Sequence, residues 1–329
     1  MSFKTSIVTI GGGTGSFVVL SGLKNYDFDL TAIVSMMDSG GSTGKLRDQL
    51  GVLPPGDLRQ ALVALSEAPE IWRKLFIYRF ESGDLEGHNF GNIFLSTVEK
   101  ITNSNQEAVD RAADILQTSG RVIPITFDKC TLCAKYENGT LVEGEAKIDL
   151  NNGESRIKEL FLKPKAFINI EAKRALERAD FIVFGPGDLY TSIIPNLLVE
   201  GINEVMSYLK AKKIFVVNLM TKEGQTSNFK VSSFIDEIEK YLGEGSLDYV
   251  VVNSKKIPSY IISNYKEVDK AVPVEDDVGG NYGKAKIIRG DLLNDNIYIK
   301  SSSDKIKRSL VRHSSDKLSK IISEIIKLA

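Results

Sequence analysis

The sequence is poor in the side chains that build metal and redox centres. Its 329 residues include only two cysteines and two histidines. Cys130 and Cys133 form a C-x-x-C pair, a spacing found in redox and zinc sites, but no second pair and no βαβ context accompany it. Because the pair lies in an alternating strand pattern, we predict that both are buried small apolar residues. We expect no protein-only metal site.

The sequence also lacks an excess of charge and a long apolar run. Lys plus Arg is 42 and Asp plus Glu is 43, a formal net charge of -1, so no global field favours nucleic acid or an anionic membrane. No apolar run approaches the roughly 18 residues that span a bilayer. The start, MSFKTSIVTI, has no signal-peptide core. We therefore expect a cytoplasmic protein that neither binds nucleic acid nor inserts into a membrane.

Glycine is abundant in one short stretch, IVTIGGGTGSFVVLSGL, residues 7–23. An apolar β-branched run precedes the glycines and apolar residues at helical spacing follow, which predicts a strand, a glycine turn and a helix. Bare backbone amides at the positive end of a helix suit a phosphate. The dinucleotide pattern G-x-G-x-x-G fails, because Ser16 or Val18 stands where its last glycine belongs. The alternative is a tight turn without a ligand.

A second strand, LTAIVSMMD, ends in another turn, SGGSTGKL, residues 39–46. It is not a Walker loop, because Ser39 replaces the first glycine and Leu46 replaces the Ser or Thr that holds magnesium. What remains is a set of donors suited to anionic oxygens, with the alternative of a solvated loop. These donors are Ser42, Thr43, Lys45 and Arg47.

Three acidic residues fall at turns. Asp38 ends the second strand, and Asp57 and Asp188 lie in glycine turns, where a carboxylate can bind a ribose or base donor, hold Mg²⁺ or cap a helix. For Asp57, which we place at a helix N-cap, the cap and ligand roles are close to even. For Asp188 the ligand role is slightly ahead.

Both histidines lie beside polar helix entries. If His88 and His313 face one crevice, their protonation near pH 6.5 would strengthen the binding of a diphosphate as the pH falls from about 8 to 6. Arg312, next to His313, could close over that diphosphate. The alternatives are ordinary helix capping for the histidines and a surface position for Arg312.

Strands and helices alternate along the chain, which predicts a Rossmann-like, doubly wound, mostly parallel sheet in three α/β/α layers. Between about residues 128 and 165 the period changes to two, with a turn at Asn138-Gly139 and a break at residues 151–153, so we predict a small β-rich insertion in one domain spanning residues 1–329. Two predicted strands end in glycine turns, at Gly11 and at Gly185. Ligands of such sheets bind beyond the carboxyl ends of the strands, where the strand order reverses.

The segments IGGGTGSFVVLSGLK, AIVSMMDSGGSTGKLR, LPPGDLRQALVAL, GHNFGN, GPGDLYTSIIPNLLVEGI, NLMTKEGQT and LVRHSSDKLS occur in this order along nearly the whole chain. Together they resemble the bacterial gluconeogenesis factor family, which is CofD-like and related to 2-phospho-L-lactate transferase. Two positions depart from the family pattern: Ser39 stands where a second acid is usual, and Asp188 replaces a small neutral residue. The missing acid weakens the case for a two-carboxylate Mg²⁺ site.

The resemblance implies a regulator that binds a UDP-sugar such as UDP-N-acetylglucosamine, is needed for cell shape, and links gluconeogenic growth to peptidoglycan precursor supply. It further implies a protein partner in precursor synthesis and is compatible with a homo-oligomer. We expect no tightly bound cofactor. The competing reading is an Mg²⁺-dependent nucleotidyl or 2-phospho-L-lactate transferase, with no committed catalytic residue. The predicted ligand-binding residues are Gly11, Gly12, Gly13, Thr14, Gly15, Asp38, Ser42, Thr43, Lys45, Asp57, Arg59, His88, Asn89, Asn92, Gly185, Gly187, Asp188, Arg312 and His313.

Overall fold

A computed structural model describes residues 4–151, 155–259, 262, 271–295 and 311–329. Its main sheet has eight strands in the order β10-β11-β9-β8-β7-β1-β2-β3, all parallel except for the β10–β11 pair at one edge. The predicted mostly parallel sheet is confirmed. The strands are β1 Thr5–Gly11, β2 Phe28–Val34, β3 Arg121–Pro124, β7 Phe181–Phe184, β8 Lys212–Val216, β9 Tyr249–Asn253, β10 Asn281–Tyr282 and β11 Ala285–Gly290.

Helices cover both faces of this sheet, so its central strands are buried on both sides, as their continuous apolar sequences predict. One face carries α1, α3, α6 and α12, and the other carries α8 to α11. No helix in the described part of the chain is both long and apolar enough to cross a membrane. The helices are α1 Gly13–Leu23, α2 Gly41–Leu50, α3 Gly56–Leu65, α4 Glu70–Ile77, α5 Phe90–Thr102, α6 Asn105–Leu116, α7 Glu145–Asp149, α8 Ile170–Arg178, α9 Ile194–Leu197, α10 Ile202–Tyr208, α11 Val231–Leu242 and α12 Ser315–Leu328.

The predicted β-rich insertion is a separate antiparallel sheet in the order β5-β4-β6. Its strands are β4 Thr131–Tyr136, β5 Leu141–Glu143 and β6 Ile157–Lys163. Leu132 and Leu160 pack into the same apolar cluster as Phe234 of α11. The short helix α7 inside the insertion was not predicted, and the predicted break at 151–153 falls partly outside the described residues.

The two cysteines are free thiols at the start of this small sheet. Cys133 is fully buried, as predicted, while Cys130 is only half-buried. Burial raises the pKa of Cys130 to about 11. A thiol with so high a pKa is a poor nucleophile and a poor metal ligand at neutral pH.

The strand order reverses at β1. Its neighbours are β2 on one side and β7 on the other, and β1 is in parallel register with both. After β1 the chain enters α1 on one face, whereas after β7 it enters a π-helical turn, Leu189–Ile193, and α9 on the opposite face. The two predicted glycine turns therefore lie side by side, at the position where doubly wound folds form a ligand crevice.

Candidate functional site

The first glycine turn is close-packed against other parts of the crevice. Gly13 has a φ of +58° and its N–H donates to Asp57 Oδ1 at 2.8 Å. A Cβ at Gly12 would collide with the Asp57 carboxylate, and one at Gly15 would collide with the Pro186 carbonyl of the β7 turn. Close internal approach is thus sufficient to explain these glycines, which favours the tight-turn alternative there. Phosphate binding by the remaining amides of the turn stays a prediction.

Asp57 does not occupy the predicted N-cap. Helix α3 begins at Gly56 with Pro55 at the N-cap, two residues earlier than expected, and it has no side-chain cap. The Asp57 carboxylate instead accepts from Gly13 at the start of α1, where the helix dipole favours a negative charge. The prediction failed because the proline pair Pro54-Pro55 already fixes the backbone at the helix entry.

Three carboxyl groups, Asp38, Asp57 and Glu145, form what we call the acid cluster. Burial raises the pKa of Asp38. Burial and then the nearby Asp38 charge raise the pKa of Asp57 to about 7, and the same two causes raise the pKa of Glu145 to about 9. Among the described residues no three His, Cys, Asp or Glu side chains are arranged to hold a metal ion. Because of their raised pKa values, Glu145 is protonated at neutral pH and Asp57 is partly protonated.

Glu145 was not among the predicted site residues, because it belongs to the insertion. Its Oε2 accepts from the N–H of Ser39 at 3.3 Å, and Ser39 Oγ accepts from the N–H of Ala146 at 2.9 Å. These reciprocal bonds attach α7 to the turn after β2. Ser39 thus positions an acid that the insertion supplies.

The second turn is not the solvated loop of the alternative reading, because Ser42 and Thr43 are buried. The N–H of Asn89 donates to Ser42 Oγ at 3.2 Å, and His88 Nδ1 lies 3.3 Å from the same oxygen. Burial, followed by the charges of nearby cations, lowers the pKa of His88. The structure thus brings the GHNFGN segment to the start of α2, as the predicted site requires.

A buried chain of side chains continues from Thr43. Asn92 Nδ2 donates to Thr43 Oγ1 at 3.3 Å, and Arg59 Nε donates to Asn92 Oδ1 at 2.8 Å. The charge of Arg59 lies close enough to lower the pKa values of Asp38 and Asp57, although burial outweighs it. Lys45, in contrast, is exposed at the outer side of α2.

The β7 turn carries a second charged group, Asp149, Asp188 and Lys222, which we call the Lys222 triad. The ammonium of Lys222 pairs with Asp149 of α7 and, at 2.9 Å, with Asp188 Oδ2. Although burial opposes it, the charges of Asp188 and Asp149 raise the pKa of Lys222. The predicted residue Asp188 is therefore an ion-pair partner, and Asp149 and Lys222 were missed even though Lys222 lies in the quoted NLMTKEGQT segment.

The prediction that both histidines titrate at the ligand is wrong for His313. Its side chain is only 7% exposed, and its Nε2 lies 3.2 Å from the Val217 carbonyl just beyond β8. Burial lowers the pKa of His313 to about 4, so the ring is neutral between pH 6 and 8. The neighbouring Arg312 is half-buried, and its carbonyl accepts from the N–H of Asn294.

Comparison with known proteins supports the fold and identifies the family. The profile of the family described as 2-phospho-L-lactate transferase CofD matches residues 7–293. The gluconeogenesis factor of Bacillus subtilis is 36% identical, over 99% of this chain and 100% of its own length. The gluconeogenesis factor of Listeria innocua is 40% identical, over 79% of this chain and 80% of its own. A crystal structure of a UPF0052 family member from Bacillus halodurans has a TM-score of 0.88 and 34% identity, covering 98% and 100% of the two chains.

The strand order and the family match together define a Rossmann-like α/β protein of the family described as 2-phospho-L-lactate transferase CofD. The chain belongs to the CofD family. Within that family it is similar over nearly its full length to bacterial gluconeogenesis factors, as its sequence motifs predict.

Proposed function

We propose that the chain is a regulatory protein that binds a nucleotide sugar of the UDP-N-acetylglucosamine type. The observation that carries this proposal is the side-by-side placement of the β1 and β7 turns, with their following helices on opposite faces. Such a reversal is where doubly wound sheets bind nucleotides. The similarity to proteins named gluconeogenesis factors supports a role in gluconeogenic growth.

The diphosphate of the ligand would lie at the start of α2. Ser42 and Thr43 are held there by Asn89 and Asn92, while Lys45 supplies an exposed positive charge. Hydroxyl donors, a helix N-terminus and an ammonium are the groups that bind phosphate oxygens. The Gly13 amide is already bonded to Asp57, so this placement depends on the second turn more than on the first.

The regulatory part of the proposal follows the family resemblance. A protein that binds a peptidoglycan precursor can report the precursor's concentration to a cytoplasmic partner in precursor synthesis, and loss of that signal would alter cell shape. Ser42 Oγ and His88 Nδ1 lie 3.3 Å apart, but Ser42 is buried and its oxygen also accepts from the Asn89 N–H, so this hydroxyl holds the turn together and is not presented as an exposed nucleophile. This supports binding without turnover as the leading function.

The acid cluster favours one second candidate, an Mg²⁺-dependent nucleotidyl or phospholactate transferase. Buried carboxyl groups with raised pKa values suit a cation that replaces their protons, so Asp38 and Asp57 fit Mg²⁺. Two carboxylates plus phosphate oxygens of a ligand would complete its shell. Bound there, Mg²⁺ would neutralise phosphate charge, while the protein residues position the nucleotide and its acceptor.

Calorimetry with UDP-N-acetylglucosamine tests the leading function. We expect Lys45→Met to weaken binding about tenfold, as for loss of one charge-assisted phosphate contact. Lys100→Met, an exposed lysine at the far end of α5, is the matched control and should bind as the wild type does. Unchanged affinity in Lys45→Met would contradict the placement of the diphosphate. Product formed above a no-protein control from Mg²⁺, nucleoside triphosphate and a phosphorylated acceptor would instead establish the transferase.

A further inference from the structure

The segment Asn218 to Thr226, NLMTKEGQT, carries two side-chain amides that the proposed function does not use. Asn218 follows β8 directly, and Gln225 lies further along the same loop with only 3% of its surface exposed. Gln225 contacts Asp149 of the Lys222 triad, and Asn218 contacts Gly187 in the turn that bears Asp188. The loop therefore places two amide groups at the carboxyl edge of β7 and β8.

Hydrogen bonds fix the orientation of both amides. Gln225 Nε2 donates to Asp149 Oδ1 at 3.2 Å, and Asn218 Nδ2 donates to the Gly187 carbonyl at 2.8 Å. A main-chain carbonyl and an ion-paired carboxylate can only accept, so each NH₂ group must face its partner. The carbonyl oxygens, Gln225 Oε1 and Asn218 Oδ1, are consequently directed away from these partners.

Both carbonyl oxygens are buried, and neither has a hydrogen-bond donor among the described residues. A buried acceptor without a donor is unfavourable, because it has lost its hydrogen bonds to water and gained none in return. A pair of such acceptors, held rigidly at the edge of a ligand crevice, is suited to a group that brings its own O–H or N–H donors. A sugar does so through its hydroxyl or acetamido groups.

The position of the two amides matches the reach of a nucleotide sugar. In the sheet, β8 is separated from β2, whose turn carries the proposed diphosphate site, by β7 and β1. Neighbouring strands lie about 4.8 Å apart, so the β8 edge is roughly 14 Å from the β2 edge, within the length of an extended nucleotide sugar. The surrounding side chains Asp149, Asp188 and Lys222 offer hydrogen bonds without an aromatic ring, which favours a sugar over a stacked base.

We propose that Gln225 and Asn218 form a sugar subsite, in which their carbonyl oxygens accept hydrogen bonds from the sugar of the bound nucleotide. The subsite rests on the proposed function, because it needs the diphosphate to lie near the second turn. It assigns the discrimination between a nucleotide sugar and the bare nucleoside diphosphate to the 218–226 loop. Asp149, donated by the insertion, acts as a positioning residue by holding the Gln225 amide.

Calorimetry of the full chain with UDP-N-acetylglucosamine and, separately, with UDP tests the subsite. The variant Gln225→Met keeps the length of the side chain and removes its amide, and Asn218→Leu does the same for the second acceptor. Gln106→Met is the matched control, because Gln106 Nε2 also donates to an aspartate, Asp110 Oδ1, but on the exposed surface of α6. Thermal unfolding of each variant reports whether the fold is retained.

We expect Gln225→Met and Asn218→Leu each to weaken UDP-N-acetylglucosamine about tenfold and to leave UDP within about twofold, with no change in the control. An equal loss for both ligands, or none for either, would overturn the subsite. Wild-type protein that binds UDP and the UDP-sugar with equal affinity would also overturn the subsite, yet leave nucleotide binding intact. Wild-type protein that binds neither would overturn the proposed function and the subsite together.

Discussion

The acid cluster and the Lys222 triad lie at neighbouring strand ends, yet they compensate negative charge differently. In the cluster, burial raises the pKa values of Asp57 and Glu145 to about 7 and 9, so bound protons reduce the negative charge. In the triad, one ammonium is shared by Asp149 and Asp188. The charge of the β1–β2 side of the crevice therefore depends on pH near neutrality, whereas the β7–β8 side carries its own counter-charge.

The largest expected effect comes from removing the counter-charge of the triad. Lys222→Met leaves two aspartates near each other without their shared ammonium. We expect a loss of about 3 kcal/mol in the free energy of unfolding at pH 7, at the low end for a broken buried pair because the three side chains are about one-third exposed. Urea denaturation measures it.

Lys255→Met is the matched control for this variant. Lys255 also bridges two aspartates, Asp291 and Asp295, but in an exposed position where Lys317 contacts the same carboxylates. We expect a change below about 1 kcal/mol for the control. Equal losses in the free energy of unfolding of the two variants would show that the Lys222 triad stabilises the protein no more than an exposed ion pair does.

Low pH should lower the free energy of unfolding, because His313 is buried in its neutral form beside β8. The folded protein protonates this ring only near pH 4, whereas the unfolded chain does so near 6.5. The unfolded state therefore binds more protons between these values, and the free energy of unfolding falls as the pH falls from 6.5 to 4. We expect this contribution to reach about 2 kcal/mol and to vanish in His313→Gln, as followed by urea denaturation at pH 7 and 4.5. His88→Gln is the control; if it removed the same contribution, the assignment to His313 would be wrong.

The acid cluster should show a smaller effect of opposite sign. Folded Asp57 binds a proton up to about pH 7, well above the ordinary value of 3.8, so the folded state is favoured by protons and loses stability as the pH rises between these values. Asp57→Asn keeps an acceptor for Gly13 and removes the charge beside Asp38. As the pH is raised from 5 to 8, we expect the free energy of unfolding of this variant to increase by about 1 kcal/mol relative to that of the wild type. Asp84→Asn, in an exposed turn, should give no such gain.

The sequence predicts the strand ends better than the contacts between them. Continuous apolar runs such as FIVF at β7 identify buried parallel strands, and their glycine turns identify the edge of the crevice. Glu145 and Asp149 could not be assigned from spacing, because they join the site only when the insertion docks on the main sheet. Gln225 lies in the loop after β8, and its contact with Asp149 depends on the same docking. His313 was misplaced for a different reason: a polar helix entry does not reveal that the ring is buried and hydrogen-bonded to the Val217 carbonyl.

The close contact between α1 and α12 joins segments that are nearly 300 residues apart in the sequence. A Cβ at Gly22 of α1 would collide with the Ser315 carbonyl and with Ser319, so the two helices meet backbone to backbone across nearly the whole length of the chain. Contacts so distant in sequence close slowly, because the intervening chain must first be ordered. During synthesis, the apolar side of α1 that α12 covers therefore remains uncovered until residues 315–328 have left the ribosome.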